Sequence, residues 1–208
     1  MVVFKLEPFK RSKLKVYFDE DAPAFVLYKK EAEQYDIREG MELPEEKYKE
    51  ILNEILIKRA ISRTLYLLDA SAKTEQQIRK KLKEGIYPEE AIEEAVRYAK
   101  SKRYIDDEYY ASAFAGQKSA SKSKRMIKNE LLQRGIDRDT VDIVLADSGI
   151  DEKKTIEKLI LRKHPAGSSL DIKEAAKLMR SLCSKGFSYD DVKAAVEELH
   201  IDITYKSD

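Results

Sequence analysis

A threefold internal repeat constrains this chain more than any other feature, and it shows when the segment around Leu82 is laid over those around Leu131 and Leu182, at offsets of 49 and 51 residues. At the same offsets Ile92, Val141 and Val192 align, as do Ala95, Val144 and Ala195, then Val96, Leu145 and Val196, and upstream Ile78, Ile127 and Leu178. A period of this length signals a helical array, in which each unit stacks on the next because it cannot bury its apolar face alone. Such arrays bind macromolecules more often than they catalyse. The charge content agrees: 38% of the residues are Asp, Glu, Lys or Arg, with no Trp and few Gly or Pro, as in solvent-rich helices. Lys and Arg number 40 against 39 Asp and Glu, so global charge selects no partner.

Start and stop signals divide each repeat into three helices. In the first, Thr74 with Gln77 forms a capping-box pattern and Pro88 opens the third helix. In the second, Ser123 and Asp137 are placed to cap the second and third helices, with Gly135 ending the helix between them. In the third, Asp171 pairs with Glu174 and Ser188 with Asp191, again with Gly186 before the third helix. First-helix positions Ile61 and Leu65 match Tyr110 and Phe114, and then Ile156 and Ile160 at a further offset of only 46, which implies a five-residue insertion in His164–Ser169. Upstream, Leu14–Phe18 and Ala24–Tyr28 read as a β-hairpin, with a further strand expected near Val2–Leu6 and a short helix over Glu31–Tyr35. A long helix from Pro44 to Asp69, with apolar positions Ile57, Ile61, Leu65 and Leu68, would be roughly 39 Å long. The expected fold is therefore mainly α: three tandem three-helix repeats, an N-terminal β-hairpin and a long linking helix. The domains are 1–43 for the hairpin extension, 44–105 for the long helix and first repeat, 106–148 for the second repeat and 149–208 for the third.

Catalytic chemistry is poorly supplied. Asp106-Asp107-Glu108 reads as a helix start rather than a carboxylate pair, because negative charge there meets free N–H groups and the positive end of the helix. His164 and His200 have no Cys or His at metal-ligand spacing, and no phosphate loop or nucleophile elbow occurs. The expectation is no enzyme, no cofactor and no metal. The lone Cys183 fits a reducing, cytoplasmic setting, and the sequence has neither a secretory signal nor an apolar stretch able to span a bilayer. Tyr66, Tyr98, Tyr104, Tyr109 and Tyr110 are expected mostly in the core.

Local basic charge is the functional signal. Lys118, Lys122, Lys124, Arg125, Lys128 and Arg134 crowd the first two helices of the second repeat, opposed in sequence only by Glu130. Lys73, Arg79, Lys80, Lys81 and Lys83 occupy the matching part of the first repeat, and Arg97, Lys100, Lys102 and Arg103 follow. Stacking of the repeats would set these clusters along one surface suited to an acidic or phosphate-bearing partner.

Three stretches carry a family resemblance: Gln77–Leu82, Pro88–Val96 and Tyr104–Ala111 together resemble the RecX regulatory proteins of bacteria, and Ile127–Ile136 is similar to that family's next motif. The hairpin followed by Tyr35–Gly40 and Leu43–Glu46 resembles the head of many members. The chain departs from the family pattern at Ser119–Ser123, where a Gly is usual, and at Gly85, one place early relative to Gly135 and Gly186. The resemblance implies a monomeric, non-enzymatic modulator of the RecA recombinase, an inhibitor, that lies in the groove of the RecA–DNA filament and restrains its growth and activity, in recombination, DNA repair and the SOS response. The contact group would be Lys118, Lys122, Lys124, Arg125, Lys128 and Arg134, extended by Arg79, Lys80, Lys83, Lys102 and Arg103, with contacts to single- or double-stranded DNA through phosphates. The alternative is a helical repeat protein that binds nucleic acid independently of RecA.

Overall fold

The computed structural model describes residues 1–204 and divides into two compact units, Met1–Asp106 and Asp107 onward. The last four residues of the expected third repeat lie outside the described residues.

The N-terminal unit begins with an antiparallel meander, β1 (Lys5–Phe9), β2 (Lys13–Tyr17) and β3 (Pro23–Tyr28), in the order β1-β2-β3. The hairpin expected from sequence is β2 and β3. The third strand forms, but over Lys5–Phe9 instead of Val2–Leu6, because Val3 is bonded into a neighbouring loop: its N–H donates to Met41 O at 2.9 Å and its C=O accepts from Gly40 N at 2.7 Å. Alternation puts Val16, Phe25 and Leu27 on the buried face. Helix α1 (Lys29–Gln34) follows, then α2 (Glu45–Ile51), a π-helical turn (Leu52–Ile57) and α3 (Lys58–Ala70), which continue one another through helical backbone at each junction. The long helix is thus present, with its deepest stripe along Leu52, Leu56, Ala60, Thr64 and Leu67. The expected stripe of Ile57, Ile61, Leu65 and Leu68 is only half buried. Helix α3 packs on α5 (Glu89–Ser101), and both helices bury small residues, Ala60 and Thr64 on α3 and Ala91, Ala95 and Ala99 on α5, so large side chains alone do not mark the buried side. Helix α4 (Glu75–Glu84) completes the first repeat, and one core runs unbroken from the sheet through Leu43 and Leu56 to Ile105.

The C-terminal unit contains α6 (Asp107–Lys118), α7 (Lys124–Gln133) and α8 (Arg138–Asp147), then α9 (Glu152–Leu161), α10 (Ile172–Cys183) and α11 (Tyr189–Glu198). Each triplet has its own apolar core. The aligned positions in the second and third helices of all three repeats, from Ile78, Ile127 and Leu178 to Val96, Leu145 and Val196, are all buried. The insertion at His164–Ser169 is a loop as expected, but it runs into a short strand β4 (Ser169–Asp171) that pairs in parallel with β5 (Asp202–Thr204).

The caps form as the sequence signals. Thr74 Oγ1 accepts from Gln77 N at 3.2 Å while Gln77 Oε1 accepts from Thr74 N at 3.1 Å. Ser123 Oγ accepts from Met126 N at 3.1 Å, Asp137 from Thr140 N at 2.8 Å, Asp171 from Glu174 N at 2.8 Å and Ser188 from Asp191 N at 3.0 Å. Each such cap is worth about 1 kcal/mol. Gly135 and Gly186 take φ of 81° and 95° after α7 and α10, and in the first repeat the equivalent left-handed residue is Ile86, at 59°. The early glycine has a cause: a Cβ on Gly85 would come within 2.9 Å of the Tyr87 ring, so that site needs glycine for space and leaves the left-handed position to isoleucine.

Candidate partner-binding surface

Helices α6 and α7 position the six basic residues expected to form the central contact group. Lys118 ends α6, Lys122 lies in the connection, Lys124, Arg125 and Lys128 are on α7 and Arg134 is its C-cap. Their charges are unequally committed. Lys122 is ion-paired to Glu130, and Arg134 donates to the Glu130 carbonyl at 2.7 Å while its guanidinium lies 4.4 Å from the Phe114 ring centre. Lys128 pairs with Asp142, so the sequence-only expectation that Glu130 alone opposes the group is corrected by an acid from the facing helix α8. Lys118 Nζ lies 5.7 Å from the same Phe114 ring, which is stacked on Tyr110. Arg125 donates to Gly186 O at 3.2 Å, bridging the second and third repeats, and is otherwise exposed. Lys124 binds through its backbone N–H to Glu152. That carboxylate already occupies the positive end of α7, so the helix end is not a vacant anion site. Among the described residues the side chains of Lys118, Lys124 and Arg125 form no ion pair.

The extending group divides in the same way. Arg79 is an internal brace, donating to Glu75 at 2.8 Å and to both oxygens of Glu93 at 2.5 and 2.9 Å. The Arg79 guanidinium holds the Glu93 carboxyl below its usual range. Burial acts to raise the pKa of Glu75, but Lys100 and Arg79 together outweigh it and leave the carboxyl low. Lys83 pairs with Glu89 at 3.1 Å. Lys80, Lys102 and Arg103 are exposed, and none forms an ion pair among the described residues. The acidic start of α6 is built as expected, with Asp106 immediately before the helix and Asp107 and Glu108 in its first turn.

The tyrosines overturn one expectation. Tyr66, Tyr98, Tyr104 and Tyr109 are not core: they are 66%, 37%, 54% and 74% exposed, and only Tyr110 is half buried. Apolar periodicity cannot separate a tyrosine that faces inward from one a single residue out of phase, which is how Tyr109 and Tyr66 reach solvent. Among the described residues no group of three or more His, Cys, Asp or Glu could hold a metal ion, and no helix is long and apolar enough to cross a membrane.

Comparison with known proteins places these features in one family. Residues 60–98, 106–145 and 151–196 match the models for the first, second and third three-helix domains of RecX. Proteins named "Regulatory protein RecX" are similar along nearly the whole chain. The one from Clostridium botulinum (strain Alaska E43 / Type E3) is 31% identical over 94% of this chain and 95% of its own length. That from Caldanaerobacter subterraneus subsp. tengcongensis is 34% identical over 90% of this chain and 93% of its own. Among solved structures, a crystal structure of regulatory protein RecX superposes with a TM-score of 0.58 at 26% identity, covering 94% of this chain and 98% of the other. A crystal structure of RecX from Lactobacillus salivarius shares the fold, with a TM-score of 0.55.

Proposed function

We propose, because the chain belongs to the RecX family of regulatory proteins, that it inhibits the RecA recombinase by binding the RecA–DNA filament in its groove and restraining filament growth. The match of three consecutive RecX domain models carries this reading. The charge distribution supports it, since an array of helices offers a long surface and its uncommitted cations can meet acidic protein patches or phosphates. Lys118, Lys124 and Arg125 are the principal docking charges, because their side chains form no ion pair among the described residues. Lys122, Lys128 and Arg134 shape the same surface while tied to their own acids, and Lys80, Lys102 and Arg103 are further docking charges on the N-terminal unit. Arg79 and Lys83 hold that unit's helices together. No step is catalytic, the protein works as a cytoplasmic monomer, and phosphate contacts to filament DNA accompany the protein contacts. Insertion of α8 into a DNA groove is disfavoured by its exposed Asp139, Asp142 and Asp147.

The deciding experiment measures RecA ATPase rate and filament assembly on single-stranded DNA with and without this protein, recording direct DNA binding at the same salt. Inhibition well below the concentrations that saturate bare DNA, lost in the triple variant Lys118→Glu, Lys124→Glu and Arg125→Glu, is the expected result. Unchanged RecA activity beside strong, salt-sensitive DNA binding would refute the reading.

A further inference from the structure

Two exposed tyrosines of the N-terminal unit lie beside arginines that form no ion pair among the described residues. Tyr66 on α3 and Tyr104, just beyond the end of α5, line one open groove of about 720 Å³ with Leu65, Leu68, Asp69 and Arg103. Arg63, one turn before Tyr66, lies 5.2 Å from its ring centre. Among the described residues neither Arg63 nor Arg103 forms an ion pair, whereas Arg59, Arg79, Arg97 and Lys100 of the same unit are each paired with a glutamate. Arg103 is also held at φ 56°, a left-handed conformation that a side-chain-bearing residue rarely adopts and that glycine would adopt freely. Its C-capping backbone bond, Arg103 N to Lys100 O at 2.9 Å, needs no arginine side chain.

From this arrangement we propose that the groove binds single-stranded nucleic acid, with bases stacking on Tyr66 and Tyr104 and the phosphates held by Arg63 and Arg103. An apolar ligand would use Leu65 and Leu68 but would leave the arginines unanswered, and an acidic peptide would answer the arginines without using two exposed rings. Unpaired nucleotides use both, since each carries a flat π-face and a phosphate. Duplex DNA does not, because its bases are already stacked on one another. Asp69 is the one acid among the lining residues, and its carboxylate can accept from base amino groups but not from a phosphate. The site makes no use of a recombinase and shares no residue with the Lys118, Lys124 and Arg125 group, so it stands whether or not the filament reading holds.

Fluorescence anisotropy of the full chain with a labelled oligo(dT), and with a duplex of the same length, tests the proposal without RecA present. Tyr66→Ala and Tyr104→Ala each weaken oligo(dT) binding about fivefold or more, while Tyr66→Phe, which keeps the ring, leaves it unchanged. Arg103→Ala weakens binding and flattens its salt dependence by about one phosphate contact. Both tyrosines are largely exposed, and unchanged circular dichroism melts confirm that the variants fold. Wild-type-like binding by the double alanine variant, equal losses on single strand and duplex, or no oligo(dT) binding by the parent chain would each overturn it. A parallel RecA ATPase assay separates the two readings: inhibition that survives Tyr66→Ala with Tyr104→Ala leaves the filament proposal standing when this one fails, and the Lys118, Lys124 and Arg125 variant does the reverse.

Discussion

Gly186 is the residue on which the seam between the second and third repeats turns, and Gly186→Ala tests that seam. Two costs arise, and they are separable. The backbone there has φ of 95°, which alanine adopts at a cost of about 1–2 kcal/mol. A Cβ would also overlap Ser123 Oγ and lie 2.8 Å from Met126 Cβ. Both belong to the first turn of α7, where Ser123 caps the helix and its own N–H donates to Lys185 O at 3.0 Å. Relieving that overlap means moving a helix end or losing its cap, about 1–3 kcal/mol more. Gly149→Ala supplies the control, because φ is 60° there too but nothing lies within 4 Å of the added carbon. Thermal unfolding followed by circular dichroism is expected to show Gly186→Ala melting at least about 5 °C below Gly149→Ala, at roughly 4–8 °C per kcal/mol for a domain of this size. Adding Ser123→Ala to Gly186→Ala costs less than the two separate losses combined, since the removed hydroxyl is one of the clashing atoms. Equal melting of the two glycine variants, or a strictly additive double variant, would show that no close approach exists at this seam. Because Gly186 O also accepts from Arg125, the same substitution is expected to weaken RecA docking beyond its effect on stability.

Gly85→Ala has no backbone penalty, since Gly85 is not in a left-handed conformation, yet it is expected to cost about 1–2 kcal/mol in urea unfolding because of the Tyr87 ring, and to become neutral in a Tyr87→Ala background. A loss that persists without the ring refutes that cause. Glu7 accepts from Lys15 at 2.8 Å, Tyr17 at 3.1 Å and Lys5 at 3.3 Å, which lowers its pKa from 4.5 to about 2. A depressed carboxyl stabilises the fold above its unfolded pKa, and the contribution disappears as pH falls from about 4.5 through 2. Carbon-13 NMR of the Glu7 carboxyl is expected to give a midpoint near 2, and a midpoint at the usual glutamate value refutes the network. Arg79→Lys keeps the charge but loses the fork to Glu93, so it is expected to cost about 1 kcal/mol of stability with little effect on RecA inhibition. The reverse pattern would make Arg79 a docking residue.

The second helix of each repeat was readable from sequence because three independent signals agree there: a polar cap, an apolar pair four residues apart such as Ile78 and Leu82, and a glycine at or just past the end. The first helices were harder. Ala60 and Thr64 are fully buried on α3, which packs on α5, yet neither stands out in an apolar pattern dominated by Ile57, Ile61, Leu65 and Leu68. Large residues mark where a helix is greasy, and small ones mark where another helix comes close, so a stripe read from size alone settles one position to the side. Strands β4 and β5 escaped notice for a related reason: three residues each, flanked by loop chemistry, they show no alternation to read.

The same distinction between composition and geometry governs the candidate sites. A linear count gives a cluster of six cations in the second repeat, whereas folding brings Asp142 to Lys128 and turns Glu130 toward both Lys122 and Arg134. What remains for a partner is set by which acids the fold brings near, and sequence separation hides that whenever the acid sits on the next helix. The tyrosines show the converse. Their hydroxylated rings can be read as core or surface with equal ease, and only the phase of each helix decides. Tyr66 lies two residues after Thr64 and one before Leu67, both buried, so it projects away from the α5 contact and beside Arg63. Removing the groove's rings and removing the α6–α7 cations should therefore have separable effects, the first on unpaired nucleic acid and the second on the filament. If both substitutions instead abolish both activities in equal measure, the two surfaces act as one site, and the separation drawn from their charge pairing is wrong.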